Sequence, residues 1–315
     1  MTSAPGRRLR RRTILLAVAA VVAVGGLLAG AAVATDTLGA GHLFERAVAK
    51  VDRFLAGPVP VRSTAPTVRI TSPPETPTPT PTPTASPDGT PKPGATPTPQ
   101  PTPEPTPVRR PVDVEIASDP KAIFAHERKI TWCAPAGVQM VLAYLGLGDT
   151  SNGFQAKLQG RVHEWESYAD SHNGEWGPSA MALALDAYGA PGYEVRAYES
   201  RSAALRDAAV AIQATGSPVI LLAWRGAHTW VMTGFRANAD PSVFSNAKIS
   251  GAYILDPWYP DISSIWGPSD PPGTFQDQAE MVRNYLPWKR PEGHYPDRDG
   301  LFIAVIPTVV VNPVE

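Results

Sequence analysis

The chain has 315 residues and a formal net charge of −1, and 19 of its 36 prolines fall within residues 58–111. Such a stretch lacks both the apolar side chains and the amide donors of a core, so the folded part is confined to 112–315, one domain of ample size for a core. That part holds 15 Lys plus Arg against 23 Asp plus Glu, a formal charge of −8 that argues against a nucleic-acid partner; a single cysteine excludes an intrachain disulfide, and no Cys/His spacing points to zinc or another cofactor.

Residues 1–12 are a basic tail with Arg7, Arg8, Arg10, Arg11 and Arg12, followed at 13–34 by 22 residues without a charge. At 1.5 Å per residue this run is long enough to cross a bilayer, and the arginines would keep its start in the cytoplasm and send the rest outward. Its length favours the signal anchor of a single-pass cell-membrane protein; the alternative is a secreted protein, because Ala32-Val33-Ala34 fits a signal-peptide cleavage site. In the juxtamembrane segment 35–57, residues 38–55 predict an amphipathic helix with Leu43, Val48, Val51 and Leu55 near one side and Glu45, Arg46, Lys50 and Asp52 largely elsewhere. It either lies on the outer membrane surface or spaces the anchor. Residues 58–111 predict a disordered Pro/Thr-rich linker of extended chain, whose roughly 50 residues at ~3.1 Å each span on the order of 150 Å.

The domain opens with a predicted strand at 112–116 and a helical turn at 120–125. A helix follows Cys133: Pro135 suits its first turn, Val138, Val141, Leu142 and Leu145 are apolar, and Gly146 stops it. A thiol at that positive end has its thiolate favoured by the helix dipole, although a lone free cysteine is also a common packing residue. Further helices are predicted at 154–169, with His163, Glu164 and Glu166 in solvent, at 178–188, and at 201–214 closed by Gly216. Strands are predicted at 193–198, 218–224, 228–236, 252–255 and 301–306. Helices first and strands after is the α+β order. Residues 256–300 read as an irregular insert bearing Trp258, Tyr259, Trp266, Tyr285, Trp288 and Tyr295, either a substrate-binding loop or a rigid cover packed by its own aromatics.

A nucleophilic thiol needs a base and a third group that orients the base. His228, opening a strand, is the best base among six histidines, and Asp256, ending the next short strand, can orient it. Taken singly, the first is a buried histidine bonded to a carbonyl and the second a turn opener. Together, Cys133-Ala134-Pro135-Ala136, His228-Thr229-Trp230-Val231-Met232-Thr233-Gly234 and Leu255-Asp256-Pro257 resemble the papain-like cysteine peptidases, and within them the bacteriocin-processing (double-glycine) peptidase-like family. The resemblance involves nothing before Val112. It implies a papain-like α+β fold, with the cysteine helix packed on an antiparallel sheet, a Cys133–His228–Asp256 triad, a thioester intermediate and a peptide substrate, without cofactor. That family places a glutamine six residues before the cysteine, where its amide donates to the oxyanion. Here the position is Glu127, which repels negative charge when ionised; Arg128, His126 and the Trp132 indole are the nearby substitute donors. Ala134 replaces a glycine. The same triad also serves an acyltransferase or amidase, and loss of the glutamine fits a surface-binding module that keeps the fold. No Gly-rich nucleotide loop accompanies it, which argues against processing coupled to export.

Overall fold

The computed structural model describes residues 26, 30–31, 40–71, 107–263 and 265–311. The expected membrane-crossing run falls almost wholly outside them, and among the described residues no helix is long and apolar enough to cross a membrane. The helices are α1 (Ala40–Leu55), α2 (Pro120–Ile123), α3 (Cys133–Tyr144), α4 (Asn152–Gly160), α5 (Pro178–Ala187), α6 (Arg201–Thr215) and α7 (Gln278–Asn284). The strands are β1 (Thr67–Ile70), β2 (Val112–Glu115), β3 (Tyr193–Tyr198), β4 (Val219–Leu222), β5 (His228–Ala237), β6 (Ile249–Leu255), β7 (Ile262–Ser263), β8 (Gly267–Pro268), β9 (Thr274–Asp277) and β10 (Phe302–Pro307).

Strands pair in the order β1-β3-β10-β4-β5-β6-β9, with β1 and β3 parallel and the rest of that path antiparallel. The long strand β5 carries two partners in succession on one flank, β4 against Thr229–Met232 and β2 against Gly234–Ala237. Period-two alternation splits the sheet's side chains between two cores. Ile220, Leu222, Val231 and Leu255 pack with Val138, Val141 and Leu142 of α3 and Leu185 of α5. Leu221, Met232, Ile254 and Ile306 pack with Leu205, Ala208 and Ile212 of α6 on the opposite face. This is the α+β, papain-like architecture, with the cysteine helix on a predominantly antiparallel sheet.

Residues 58–71 differ from the disordered linker expected at 58–111. Tyr168 N–H donates to the Pro60 carbonyl (2.8 Å), Arg62 N–H to Ser167 Oγ (3.0 Å) and Ala65 N–H to Ser179 Oγ (2.6 Å). The β-branched Thr67, Val68 and Ile70 then add β1 to the open edge of β3, Thr67 opposite Val195 and Ile70 opposite Tyr198. The rest of the expected linker, 72–106, lies outside the described residues; the strands on either side of it, β1 and β2, belong to one sheet.

Two further expectations change. The helix predicted at 154–169 ends at Gly160, because Glu166, Ser167 and Asp170 turn inward as buried acceptors. Glu166, expected in solvent, accepts from Glu175 N–H and Arg53. Asp170 accepts from Ser179 N–H (3.1 Å) and Ala180 N–H (2.9 Å), occupying the positive start of α5. The insert 256–300 is not irregular: it contains β7, β8, α7 and the edge strand β9.

Arg298 locks these pieces together. Buried to 3% side-chain exposure, it pairs with the fully buried Asp170 at 2.8 Å and donates to Thr67 Oγ1 of β1. Burial pushes the Asp170 carboxyl above its ordinary range even though Arg298 and the two amides pull it down. Arg298→Met strands that carboxylate, and equilibrium urea unfolding should show a loss of about 3–5 kcal/mol. The double variant Arg298→Met/Asp170→Asn should lose less than the single one.

Candidate active site

Helix α3 begins at Cys133, capped by Trp132 without a side-chain bond, so the amides of its first turn have no intrahelical acceptor. It rests on β5 through Gly137, where an added Cβ would stand 2.4 Å from Thr229 Cγ2. Because Cys133 lies one turn before Gly137, and His228 lies one residue before Thr229, that contact brings thiol and imidazole together. Sγ of Cys133, a ring nitrogen of His228 and a carboxyl oxygen of Glu127 all fall within 4.8 Å of one another. His228 Nε2 bonds Asp256 Oδ1 at 2.7 Å, and the same oxygen accepts Trp258 N–H at 2.9 Å. With Asp256 a carboxylate, Nε2 carries the proton and Nδ1 is the ring's acceptor.

The turn into β5 is strained. Trp224 and Arg225 take left-handed backbone, φ 51° and 62°, which costs about 1–3 kcal/mol per residue and persists only where the surroundings enforce it. Here the Trp224 indole stacks on the His228 ring, centroids 3.9 Å apart and planes 17° apart, while its Nε1–H is held by Asn284 Oδ1 of α7 at 3.0 Å. The imidazole is thus clamped between a carboxylate and an indole face, an arrangement suited to carrying a positive charge.

Glu127 is the most unusual member. It is 3% exposed, and neither carboxyl oxygen has a hydrogen-bond partner among the described residues. Its backbone N–H donates to the Pro257 carbonyl (2.9 Å), and Gln155 grips the neighbouring backbone, accepting from Arg128 N–H (2.8 Å) and donating to the His126 carbonyl (3.0 Å). Desolvation, reinforced by the charges of Asp256, Asp261 and Glu45, pushes the Glu127 carboxyl well above its ordinary range. A carboxyl shifted in this direction favours its neutral, proton-donating form over the repelling carboxylate expected from its residue type. Two of the three substitute donors are engaged elsewhere: the Arg128 guanidinium donates to the Asn152 carbonyl and His126 Nδ1 meets the Tyr259 carbonyl.

The Cys133 thiol departs from expectation in the other direction. The helix start was expected to lower its pKa; burial raises it, and a negative charge on the neighbouring Glu127 would raise it further, while Thr229 and the Ala134 amide pull the other way. A helix dipole contributes about 0.3–1 kcal/mol, and desolvation of a charged group up to several pKa units, so burial wins. The resting thiol is neutral. Glu127, Cys133 and His228 also constitute a three-donor set for a divalent ion, which would occupy the nucleophile.

The site floors a cavity of about 950 Å³ with Trp176, Trp224, Trp258, Trp266 and Trp288 in its walls. Three of these come from the 256–300 insert, which builds one side of the cleft. All four residues singled out from the sequence, Cys133, His228, Asp256 and Glu127, meet here. Trp224 and Asn284 were not singled out: a tryptophan at a strand end gives no sign of left-handed backbone, and Asn284 reaches the site only through the insert's fold.

A family model described as the Peptidase_C39 like family matches residues 116–283. No curated protein matches the chain. Among solved structures, the chain is similar to a double glycine motif protease from an AMS/PCAT transporter in complex with the leader peptide, at 18% identity and a TM-score of 0.32, covering 59% of this chain and 91% of that one.

The neutral state of Glu127 has a measurable consequence for stability. Above pH 4.5 the unfolded chain releases this proton while the folded chain keeps it, so stability falls as pH rises until the folded carboxyl ionises. Glu127→Gln removes that dependence. Urea unfolding should show the variant gaining on the parent by about 1.4 kcal/mol per pH unit through that window; equal slopes would mean that Glu127 is ionised in the fold.

Proposed function

Since the chain belongs to the Peptidase_C39 like family, we propose that the domain is a cysteine peptidase, cleaving a peptide bond through Cys133, His228 and Asp256 with Glu127 completing the oxyanion site. The observation that carries this reading is the buried 2.7 Å bond between His228 Nε2 and Asp256 Oδ1, which leaves the other ring nitrogen as a proton acceptor beside the only thiol in the chain.

His228 takes the proton from Cys133 Sγ as sulfur attacks the scissile carbonyl carbon. Asp256 and the Trp224 face stabilise the imidazolium. The carbonyl oxygen becomes an oxyanion, bonded by the Cys133 backbone N–H at the start of α3 and by the Glu127 carboxylic O–H. Collapse breaks the C–N bond, and His228 returns its proton to the departing amine. The remaining thioester is hydrolysed by a water that gives its proton to His228, and Cys133 leaves as the thiol. A carboxylic acid serves here where an amide would, because both donate to a forming negative charge.

Two reactions separate the roles. Alkylation by iodoacetamide reports the thiolate and forms no oxyanion, whereas acylation by p-nitrophenyl acetate needs both. His228→Ala should shift the alkylation profile to higher pH; a profile that ignores His228 removes the peptidase reading and leaves a binding module with a peptidase fold. The ratio of acylation to alkylation rate cancels the thiolate fraction and isolates the oxyanion site. It should fall about 10²–10³-fold in Glu127→Ala. In Glu127→Gln it should match the parent at low pH and remain flat, while the parent's ratio drops as Glu127 ionises. An unchanged ratio in Glu127→Ala, or a parent ratio far below that of Glu127→Gln at every pH, rules out Glu127 as a donor.

A further inference from the structure

Helix α1 docks on the domain the wrong way round for a core helix. The side it turns to the domain carries His42, Ala49 and Arg53, half-buried, while Glu45, Arg46, Lys50 and Asp52 stay exposed: the His42 ring meets Trp258 with centroids 5.8 Å apart, and Arg53 pairs with Glu166 at 3.2 Å. Its apolar side faces away, with Leu43, Phe44, Val51, Phe54 and Leu55 exposed, Phe54 over 84% of its surface. A helix that spends its polar face on the protein and shows its apolar face outward is built for a second, apolar environment.

The sequence on either side identifies that environment. The 22-residue uncharged run ends at Ala34, and only five residues, 35–39, separate it from α1. Five residues reach at most about 18 Å, so if the run is in a bilayer, α1 is at the bilayer surface. Nor does the Pro/Thr-rich sequence move the domain away: β1 precedes it and belongs to the main sheet, so the domain starts before the supposed tether. The cleft lies on the same side. Leu43 of α1 lines it together with Ile262 and Ile265 of the β7–β8 hairpin, and these three are 66, 70 and 74% exposed.

We propose that α1 and the apolar rim of the cleft lie in the headgroup region of the membrane that holds the N-terminal run, so that the cleft opens at the bilayer surface and receives membrane-associated polypeptides. The placement on the bilayer stands independently of the peptidase chemistry; only the choice of substrate rests on it.

The test uses the full chain in phosphatidylcholine vesicles, with Cys133→Ser so that one introduced cysteine can carry an environment-sensitive fluorophore. Phe54→Cys and Ile265→Cys probe the proposed face. Val243→Cys, exposed beyond the far end of β5, is the control. With a lipid-borne spin-label quencher near the headgroups, the labels at 54 and 265 should lose at least half their emission and that at 243 should keep it. A chain stripped from the vesicles by alkaline carbonate overturns the proposal at its premise, the membrane-spanning run. A chain that resists carbonate but quenches equally at 54, 265 and 243 overturns the apposition itself. Neither result bears on the alkylation and acylation rates, so the two readings fail separately.

Discussion

The meeting of α3 with β5 depends on a missing atom. At Gly137 the helix backbone comes so near the strand that a Cβ would overlap the Thr229 methyl. Thiol and imidazole sit one turn and one residue away from that contact, so the helix-to-strand distance fixes theirs. The remaining parts secure the strand end: Asp256 from β6 and the strained Trp224 turn hold the imidazole on two sides. Cys133 and His228 are therefore placed by backbone packing, which is stiff, and only their fine orientation is left to side chains.

Burial then decides the protonation states. The same exclusion of water that disfavours a thiolate at Cys133 disfavours a carboxylate at Glu127, and the two effects support one another. An ionised Glu127 would make thiolate formation harder and would repel an oxyanion. Held neutral, it would do neither. In the proposed reaction, proton transfer from Cys133 to the buried His228 would create an imidazolium–thiolate pair whose mutual attraction offsets part of the desolvation that each ion alone would suffer.

Much of this was legible in the chain. Val138, Val141 and Leu142 carried a helical period, β5 and β10 carried strand composition, and Gly216 marked the end of α6, where it adopts φ 64°. Cys133, His228 and Asp256, which the fold brings together, could be singled out because each belongs to a local pattern with a chemical reason for its residue type. What failed depended on distant partners. Glu166 looks like a solvent-facing helix residue until Arg53 and the Glu175 amide arrive from elsewhere. Glu127 looked like a charge because residue type states an ordinary pKa, and only the packing of Pro257, Gln155 and three acidic neighbours changes it. Trp224 looked like the end of a strand because steric strain has no sequence signature at a non-glycine residue.

The Pro/Thr-rich segment shows the limit of composition most plainly. Composition argues against a core there, yet the role of such a segment depends on what precedes it. Here Thr67–Ile70, three of whose four residues are β-branched, lies beside an open strand edge, and pairing with β3 satisfies amides on both sides. Closing a loop of several tens of residues between β1 and β2 adds only about 0.6 kcal/mol for each doubling of its length, so the sheet can retain both strands at modest cost. Four residues finding an edge thereby change the meaning of the segment that follows them. They also fix how far the cleft can stand from whatever holds the chain's N-terminal end, because α1 and β1 are part of the folded body and the reach of the proline-rich chain is spent elsewhere.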